Sequence, residues 1–351
     1  MPTNRQWRLI ERPVGMVSPR HFELREEPSP SPKDGEVLVR TLYVSFDPAM
    51  RAFLHDRPSY VPPQPVGEVM RAGGIGQVIE SKSPACVPGD LVMGSFGWQD
   101  YATANGAHLL KLSPTRLPTD YMSALGGTGL TAYFGLLEVG RARSGDTVVI
   151  SGAAGATGSS AVQISKILGC RTIGIAGGPD KCRWIVDALG ADAAIDYKSE
   201  DVSARLSALC PDGINVYFDN VGGDILQACI GQMKVHGSIA VCGMISTYND
   251  ATPSPGPNNL FELVSRRVRM EGFLMLDFVP RFAEGRRALE AWMDAGMLKS
   301  FVDVQEGFEN IPRTFMRIFS GANVGKQTLK IADPPLPVPG RPVSAVAADA
   351  V

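Results

Sequence analysis

Apolar and polar positions alternate differently in different parts of the chain. From Val148 the run Val-Val-Ile-Ser-Gly-Ala-Ala-Gly-Ala-Thr-Gly begins as a short apolar stretch, the shape of a buried strand, and turns through Gly152, Gly155 and Gly158. Val162, Ile164, Ile167 and Leu168 then recur at helical spacing. Arg171–Ala176 reads as the next strand, Asp180–Leu189 as a helix and Ala193–Tyr197 as a third strand. Val216–Asp219 and Ser238–Cys242 follow as strands, with a helix over Ile225–Met233 between them. This alternation predicts an α/β fold with a parallel, doubly wound sheet.

The first third has another texture. Glu36–Val44 alternates like a half-buried strand, and Gly76–Glu80 and Asp90–Gly94 are short strands bounded by glycine and proline. Such punctuation predicts a partly open β-barrel. A helix over Tyr121–Leu137 leads into the glycine-turn domain, and Met270–Leu276 reads as the last strand of its sheet. A helix over Arg313–Phe319 and a strand over Lys326–Ile331 then return to the barrel. The expected partition is residues 1–122 and 300–333 for the barrel, 123–299 for the nucleotide domain, and 334–351 for a Pro/Ala-rich tail, extended or disordered. An exposed edge at Met270–Leu276 needs a cover, and a homodimer through that edge is expected.

Composition narrows the class. A chain of 351 residues suits two domains. A net charge of −2 without a basic block gives no reason to expect nucleic acid or an anionic membrane as partner. Met1–Ile10 lacks the apolar core of a signal peptide, and no run is long enough to span a bilayer. The six cysteines are scattered, which suits a reducing cytoplasm.

A strand, a glycine turn and a helix N-terminus can hold a pyrophosphate on backbone N–H groups and the helix dipole. Ala153 stands at the first glycine of the usual pattern; Gly155 allows close phosphate approach and Gly158 close strand–helix packing. NAD sites place Asp or Glu at the tip of the second strand, about 20 residues on. Here the tip is Gly177-Gly178-Pro179, followed by Asp180, which suits the helix dipole, and Lys181. Lys181 with Tyr197 suits a 2′-phosphate, so the cofactor read is NADP(H); the alternative is that Lys181 is an ordinary solvated lysine.

Several further runs carry a family resemblance: Ser45-Phe-Asp-Pro-Ala-Met-Arg51, Phe218-Asp-Asn-Val-Gly-Gly223, Cys242-Gly-Met-Ile-Ser-Thr-Tyr-Asn249 and Gly321-Ala-Asn-Val-Gly-Lys326. With the glycine turn, and in this order, they resemble the medium-chain dehydrogenase/reductase superfamily from about Glu36 to Ile331. Within it the chain resembles the zinc-independent branch of prostaglandin reductases (leukotriene dehydrogenases), plant alkenal double-bond reductases and bacterial curcumin reductases. The resemblance implies a GroES-like barrel, a Rossmann domain and NADPH-dependent reduction of the C=C bond of α,β-unsaturated ketones or aldehydes, as in a 15-oxoprostaglandin 13-reductase.

The resemblance also implies roles. Ala154, Gly155, Ala156, Thr157 and Gly158 would lie along the pyrophosphate, Lys181 and Tyr197 near the 2′-phosphate, and Asn220 at the ribose region. Cys242, Gly243, Ser246 and Tyr248 would pass the nicotinamide side with Phe273, Leu274 and Met275, and Asn323 would hold the nicotinamide or its ribose. Tyr60, Tyr248 and Phe96 match substrate-facing positions. Gly127-Thr128-Gly129 departs from a frequent Met-Pro-Gly, and Gly97 from an aromatic in at least one relative. These departures bear on substrate shape more than on chemistry.

No metal is expected. His21, His55, His108 and His236 lie outside any Gly-His-Glu context, no Cys-x-x-Cys occurs, and His55, Glu68 and Cys86 offer ligand types without ligand spacing. Reduction of an activated alkene needs hydride and an oxyanion stabiliser. Tyr60, Tyr248 or the cofactor ribose hydroxyl are the candidate donors, and Tyr248 or water the proton source; either tyrosine can equally be an apolar wall with a satisfied hydroxyl. Arg51 can bind an acidic substrate tail, or hold its turn through Asp47 or a backbone carbonyl, the role favoured. Cys242 has no adjacent His or Lys and reads as a packing residue. A quinone reductase and a non-catalytic NADPH-binding protein are the rival readings.

Overall fold

In the computed structural model, which describes residues 2–57 and 59–340, the chain begins with a polar ribbon. Strands β1 (Thr3–Leu9) and β2 (Phe22–Pro28) pair antiparallel, setting Arg5 opposite Glu26 and Arg8 opposite Glu23. The barrel strands follow: β3 (Glu36–Ser45), then the short helix α1 (Ala49–Ala52), β4 (Gly73–Ser81), β5 (Leu91–Ser95), β6 (Tyr101–Asn105) and β7 (Leu110–Lys111). β3 pairs with β4 along most of its length and with β6 over Glu36–Arg40. Register shifts between Leu38 and Val39 and between Thr41 and Tyr43 bend it, as bulges do. Trp98 fills one core, its ring centroid 4.9 Å from Phe22, 5.9 Å from Phe46 and 5.6 Å from Phe315.

The second unit is a six-stranded sheet. Its elements run α2 (Gly127–Phe134), β8 (Thr147–Ser151), α3 (Ala156–Ile167), β9 (Arg171–Ala176), α4 (Pro179–Asp187), β10 (Ala193–Asp196), α5 (Val202–Leu209) and β11 (Ile214–Asp219). They continue as α6 (Gly223–Gly231), β12 (Met233–Val241), α7 (Phe261–Ser265), β13 (Arg269–Gly272) and α8 (Phe282–Asp294). The strand order is β10-β9-β8-β11-β12-β13, every pair parallel. Order reverses between β8 and β11, so the crevice for a ligand lies at their carboxyl ends. Val149, Ile173, Ile175, Ile195 and Ile239 are buried, which accounts for the continuous apolar runs of these strands.

The chain then returns through β14 (Val302–Glu306), α9 (Ile311–Ser320) and β15 (Lys326–Lys330), which joins β14 to β3 in the barrel sheet. α9 buries Ile311, Phe315 and Ile318 on one face. By contacts, one unit comprises residues up to Met122, Val304–Ser320 and residues from Gln327; the other comprises Ser123–Asp303 and Gly321–Lys326.

Two expectations are corrected. The helix expected over Tyr121–Leu137 is interrupted: a single turn at Pro118–Met122 precedes α2, and a wider π turn spans Gly135–Gly140. The break sits at Gly126 and Gly127, and a methyl group on Gly129 would lie 1.8 Å from Ala124 O, so the chain folds back on itself there. The strand expected over Met270–Leu276 stops at Gly272, and Met275–Arg281 forms tight turns containing Pro280. The tail is anchored where it begins: buried Gln77 donates from Nε2 to Leu336 O at 2.8 Å and accepts Leu336 N–H at 2.8 Å. Residues 341–351 of the expected tail lie outside the described residues.

Candidate active site

The turn after β8 is built for close approach. Gly152 has a φ of 58°, a left-handed value that favours glycine. A methyl group on Gly158 would lie 2.2 Å from Gly152 O and 2.8 Å from Ala153 Cα, so α3 seats directly on the turn. Gly155 caps α3, no side chain caps that end, and no acidic residue occupies its first turn. These are the conditions under which a helix N-terminus receives an anion. Gly158→Ala is expected to cost about 1–3 kcal/mol, the usual penalty for overpacking. Urea denaturation checks this, and an unchanged midpoint would contradict it.

At the tips of β9 and β10 the two carboxylates differ: Asp196 is turned inward and Asp180 faces outward. Asp196 Oδ1 accepts the backbone N–H of Gly178 at 2.7 Å and of Lys198 at 3.0 Å, and Oδ2 accepts Ser199 Oγ at 2.8 Å. These hydrogen bonds, that from Gly178 foremost, hold its carboxyl below the usual range. Asp180 pairs with Arg183 Nη2 at 3.3 Å on the surface. Lys181 Nζ donates to Gly321 O at 2.8 Å; burial lowers its pKa, and nearby Lys198 adds to that. A methyl group on Gly177 would lie 2.9 Å from the Tyr197 ring, so the ring rests on the strand tip.

Lys181 and the glycine turn are tied by one segment. Gly325 N–H donates to Ala154 O at 2.8 Å, and Asn323 Nδ2 donates to Gly325 O at 2.9 Å. The run Gly321–Gly325 therefore touches Lys181 at one end and the glycine turn at the other.

At the ends of β8, β11 and β12, Asp219 is the organising residue, one that the sequence reading passed over. It is fully buried, and its Oδ1 accepts Tyr217 OH at 2.7 Å, Gly222 N–H at 2.9 Å, and Ser151 Oγ–H and Val221 N–H at 3.0 Å each. Its carbonyl accepts Cys242 N–H at 2.8 Å and Gly243 N–H at 3.1 Å. A carboxylate closing the apolar run Val216–Asp219 was the available signal. Beside it Asn220 donates from Nδ2 to Ser151 O at 2.7 Å.

This hub fixes the loop after β12. Ser246 Oγ donates to Val221 O at 2.6 Å, and Tyr248 OH accepts Met244 N–H at 3.2 Å, lying where a methyl group on Gly243 would stand 3.2 Å away. Burial raises the Tyr248 pKa, which keeps the phenol protonated at neutral pH. Burial, with Asp219 nearby, pushes the Cys242 thiol up to about 12, so it is no nucleophile. Phe273 N–H donates to Val241 O at 3.4 Å, and its ring meets Phe218 edge-on at 6.1 Å. Leu274 N–H donates to Asp277, and Met275 Sδ lies 3.4 Å from where a methyl group on Gly127 would be, so the Gly127 departure leaves room beside this segment.

The barrel residues divide. Tyr60 is 47% exposed and meets Phe53 edge-on at 6.0 Å. Phe96, expected to touch substrate, is instead 1% exposed in the barrel core, packed over Gly74 and Gly94. Arg51 is also withdrawn from the substrate set: it is 0% exposed, and Nη2 donates to Pro13 O at 3.2 Å and Gly15 O at 2.8 Å. Its guanidinium holds a loop, the carbonyl-binding alternative. Of the metal-ligand types considered, His55 Nε2 lies 3.2 Å from Arg51 Nη1, and buried Cys86 donates to Gly106 O at 3.7 Å. Among the described residues no three His, Cys, Asp or Glu side chains are grouped to hold a metal ion.

A barrel unit joined to a parallel nucleotide sheet, with this glycine turn, defines a class, and comparison with known proteins agrees. Residues 5–112 match the N-terminal domain of oxidoreductase, and residues 156–291 match the zinc-binding dehydrogenase family. The chain belongs to the medium-chain dehydrogenase/reductase superfamily, within its branch of curcumin, alkenal and prostaglandin reductases. It is 38% identical over 335 residues to the NADPH-dependent curcumin reductase of Escherichia coli, covering 94% of this chain and 97% of that protein. It is 39% identical over 301 residues to the NADP(+)-dependent 2-alkenal reductase of Nicotiana tabacum, covering 85% and 88%. The crystal structure of CurA with NADPH from Vibrio vulnificus superposes with a TM-score of 0.90 at 36% identity, covering 94% of this chain and 100% of that one.

Proposed function

We propose that this protein is an NADPH-dependent reductase of the C=C bond in α,β-unsaturated ketones and aldehydes. The observation that carries this reading is the loop after β12, where a protonated phenol is fixed by Met244 N–H beside an inert thiol. Support comes from relatives named for reducing curcumin and 2-alkenals with NADPH. The cofactor fits the residues present: a close-packed glycine turn for the pyrophosphate, and Lys181 with Tyr197 for the 2′-phosphate, where Asp196 turns to backbone N–H groups and Asp180 pairs with Arg183. Asn220, the loop Cys242–Tyr248, Phe273–Met275 and Asn323 are the proposed contacts of its nicotinamide half.

When bound, NADPH supplies a hydride for the electron-poor β-carbon. The chain's task is to stabilise the negative charge that reaches the carbonyl oxygen. The Tyr248 oxygen already accepts an N–H, so its own proton is available to that oxygen. A donor gains most where charge develops in a site sheltered from water. The α-carbon then takes a proton from Tyr248 or from water, completing the saturated carbonyl product. Tyr60, exposed on the barrel unit, is the proposed second substrate contact. Steady-state NADPH consumption with short alkenals, aryl enones, prostaglandin-like ketones and a quinone tests the reading. Turnover with enones supports it; turnover with the quinone alone, or with none, overturns it.

The protein is proposed to work in the cytoplasm as a homodimer paired along β13. That strand ends the sheet; Met270 on it is 41% exposed, and Phe261 in α7 is 77% exposed. An uncovered strand edge beside exposed apolar side chains is a liability that a second copy removes. Light scattering should give twice the chain mass of 37.5 kDa, and Phe261→Asp combined with Met270→Lys should halve it. A single chain mass for the unmodified protein would end the dimer reading without touching the chemistry. Among the described residues no helix is long and apolar enough to cross a membrane.

A further inference from the structure

We infer that Lys198 is a second cation of the 2′-phosphate site, acting with Lys181 to set the preference for the phosphorylated cofactor. This rests on the NADPH reading above and adds a residue to it. Lys198 follows Tyr197 directly, and its backbone N–H is held at 3.0 Å by the Asp196 oxygen that also holds Gly178 N–H at 2.7 Å. One carboxylate thus ties the tip of β9 to the turn after β10 and fixes where the Lys198 stem begins.

The stem then lies back over the other tip. A methyl group on Gly177 would stand 2.8 Å from Lys198 Cε, beside the 2.9 Å contact with the Tyr197 ring. Gly177 is therefore the floor on which both side chains rest. Lys181 arrives from the first turn of α4 and is fixed by Gly321 O at 2.8 Å. Burial, and after it the charge of Lys198, lowers the Lys181 pKa.

Nearby acids do not neutralise the pair directly. Asp180 bonds Arg183, and Asp196 spends its oxygens on two backbone N–H groups and Ser199. Asp303 acts on Lys181 only through its more distant charge. Lys198 resting over Gly177, and Lys181 four residues after that glycine in the first turn of α4, with a phenol between them in sequence order, suit a phosphate monoester dianion. A ribose 2′-OH carries no charge to reward them.

The test compares binding of NADPH and NADH, and of the fragments 2′,5′-ADP and 5′-AMP, by calorimetry on the full chain. Lys198 is solvent-exposed, so Lys198→Met and Lys198→Arg leave the core intact. Lys198→Met should lower the NADPH-to-NADH and 2′,5′-ADP-to-5′-AMP affinity ratios about tenfold, the scale of one charge-assisted contact. Lys198→Arg should keep most of both ratios, because the charge is retained. If Lys181→Ala collapses the ratios while Lys198→Met leaves them within twofold of wild type, Lys198 has no part in the site and the NADPH reading stands. If the unmodified protein shows no preference for the phosphorylated ligands, the cofactor reading and this inference fall together.

Discussion

Replacing Tyr248 with phenylalanine is expected to slow hydride transfer by about 10²-fold or more, the scale of one lost oxyanion donor. The phenol sits on the loop after β12, its oxygen accepting Met244 N–H at 3.2 Å. Accepting an N–H makes the hydroxyl a better donor, and burial keeps it protonated by raising its pKa above 10.0. The wild-type rate limited by this group should therefore hold through neutral pH and fall only when the phenol ionises, on the alkaline side of 10.0. The ring remains in the variant, so NADPH affinity should stay near normal. Single-turnover stopped-flow rates with saturating NADPH check this. A phenylalanine enzyme with nearly full single-turnover rate would make Tyr248 a wall, and leave the donor role to Tyr60, the cofactor ribose hydroxyl or water.

The second large effect concerns the cofactor. Lys181→Ala should lower NADPH affinity by roughly ten- to hundred-fold, the range of a charge-assisted contact of about 1.5–3 kcal/mol. NADH has no 2′-phosphate to lose, so its binding should move far less. The Lys181 ammonium is held by Gly321 O in a segment that also reaches the glycine turn through Gly325 and Ala154. Some loss for both cofactors through that segment is compatible with the account, but the NADPH preference must shrink. Equal NADH and NADPH kinetics in the unmodified protein would end the assignment.

The nucleotide sheet was readable because its central strands β8, β9 and β11 are buried and its turn needs glycine at Gly152 and Gly158. The ribbon of β1 and β2 was not. Thr3–Leu9 and Phe22–Pro28 are largely polar, and are matched across the ribbon by Arg5 with Glu26 and Arg8 with Glu23, so no apolar alternation marks them. The barrel strands β6 and β7 are too short to declare themselves, and pairing with β3 and β5 fixes them.

Site residues divide on similar physical grounds. Asn220, Cys242 and Tyr248 stand out in local runs, and strand-end loops carry such groups to the crevice. Arg51 looked available because sequence does not reveal burial; its carbonyl partners, Pro13 and Gly15, lie far back in the chain. Phe96 was misread for the same reason. The role of Asp219 depends on donors from two strands and the turn that follows, and Lys198 became visible only once the sheet order set β10 beside β9.

The central claim is hydride delivery to an alkene carbon. NADPH deuterated at the transferable position, incubated with an aryl enone and this protein, should yield the saturated ketone with deuterium at the β-carbon, read by NMR and mass spectrometry. Deuterium on the carbonyl carbon, as an allylic alcohol, would contradict the account.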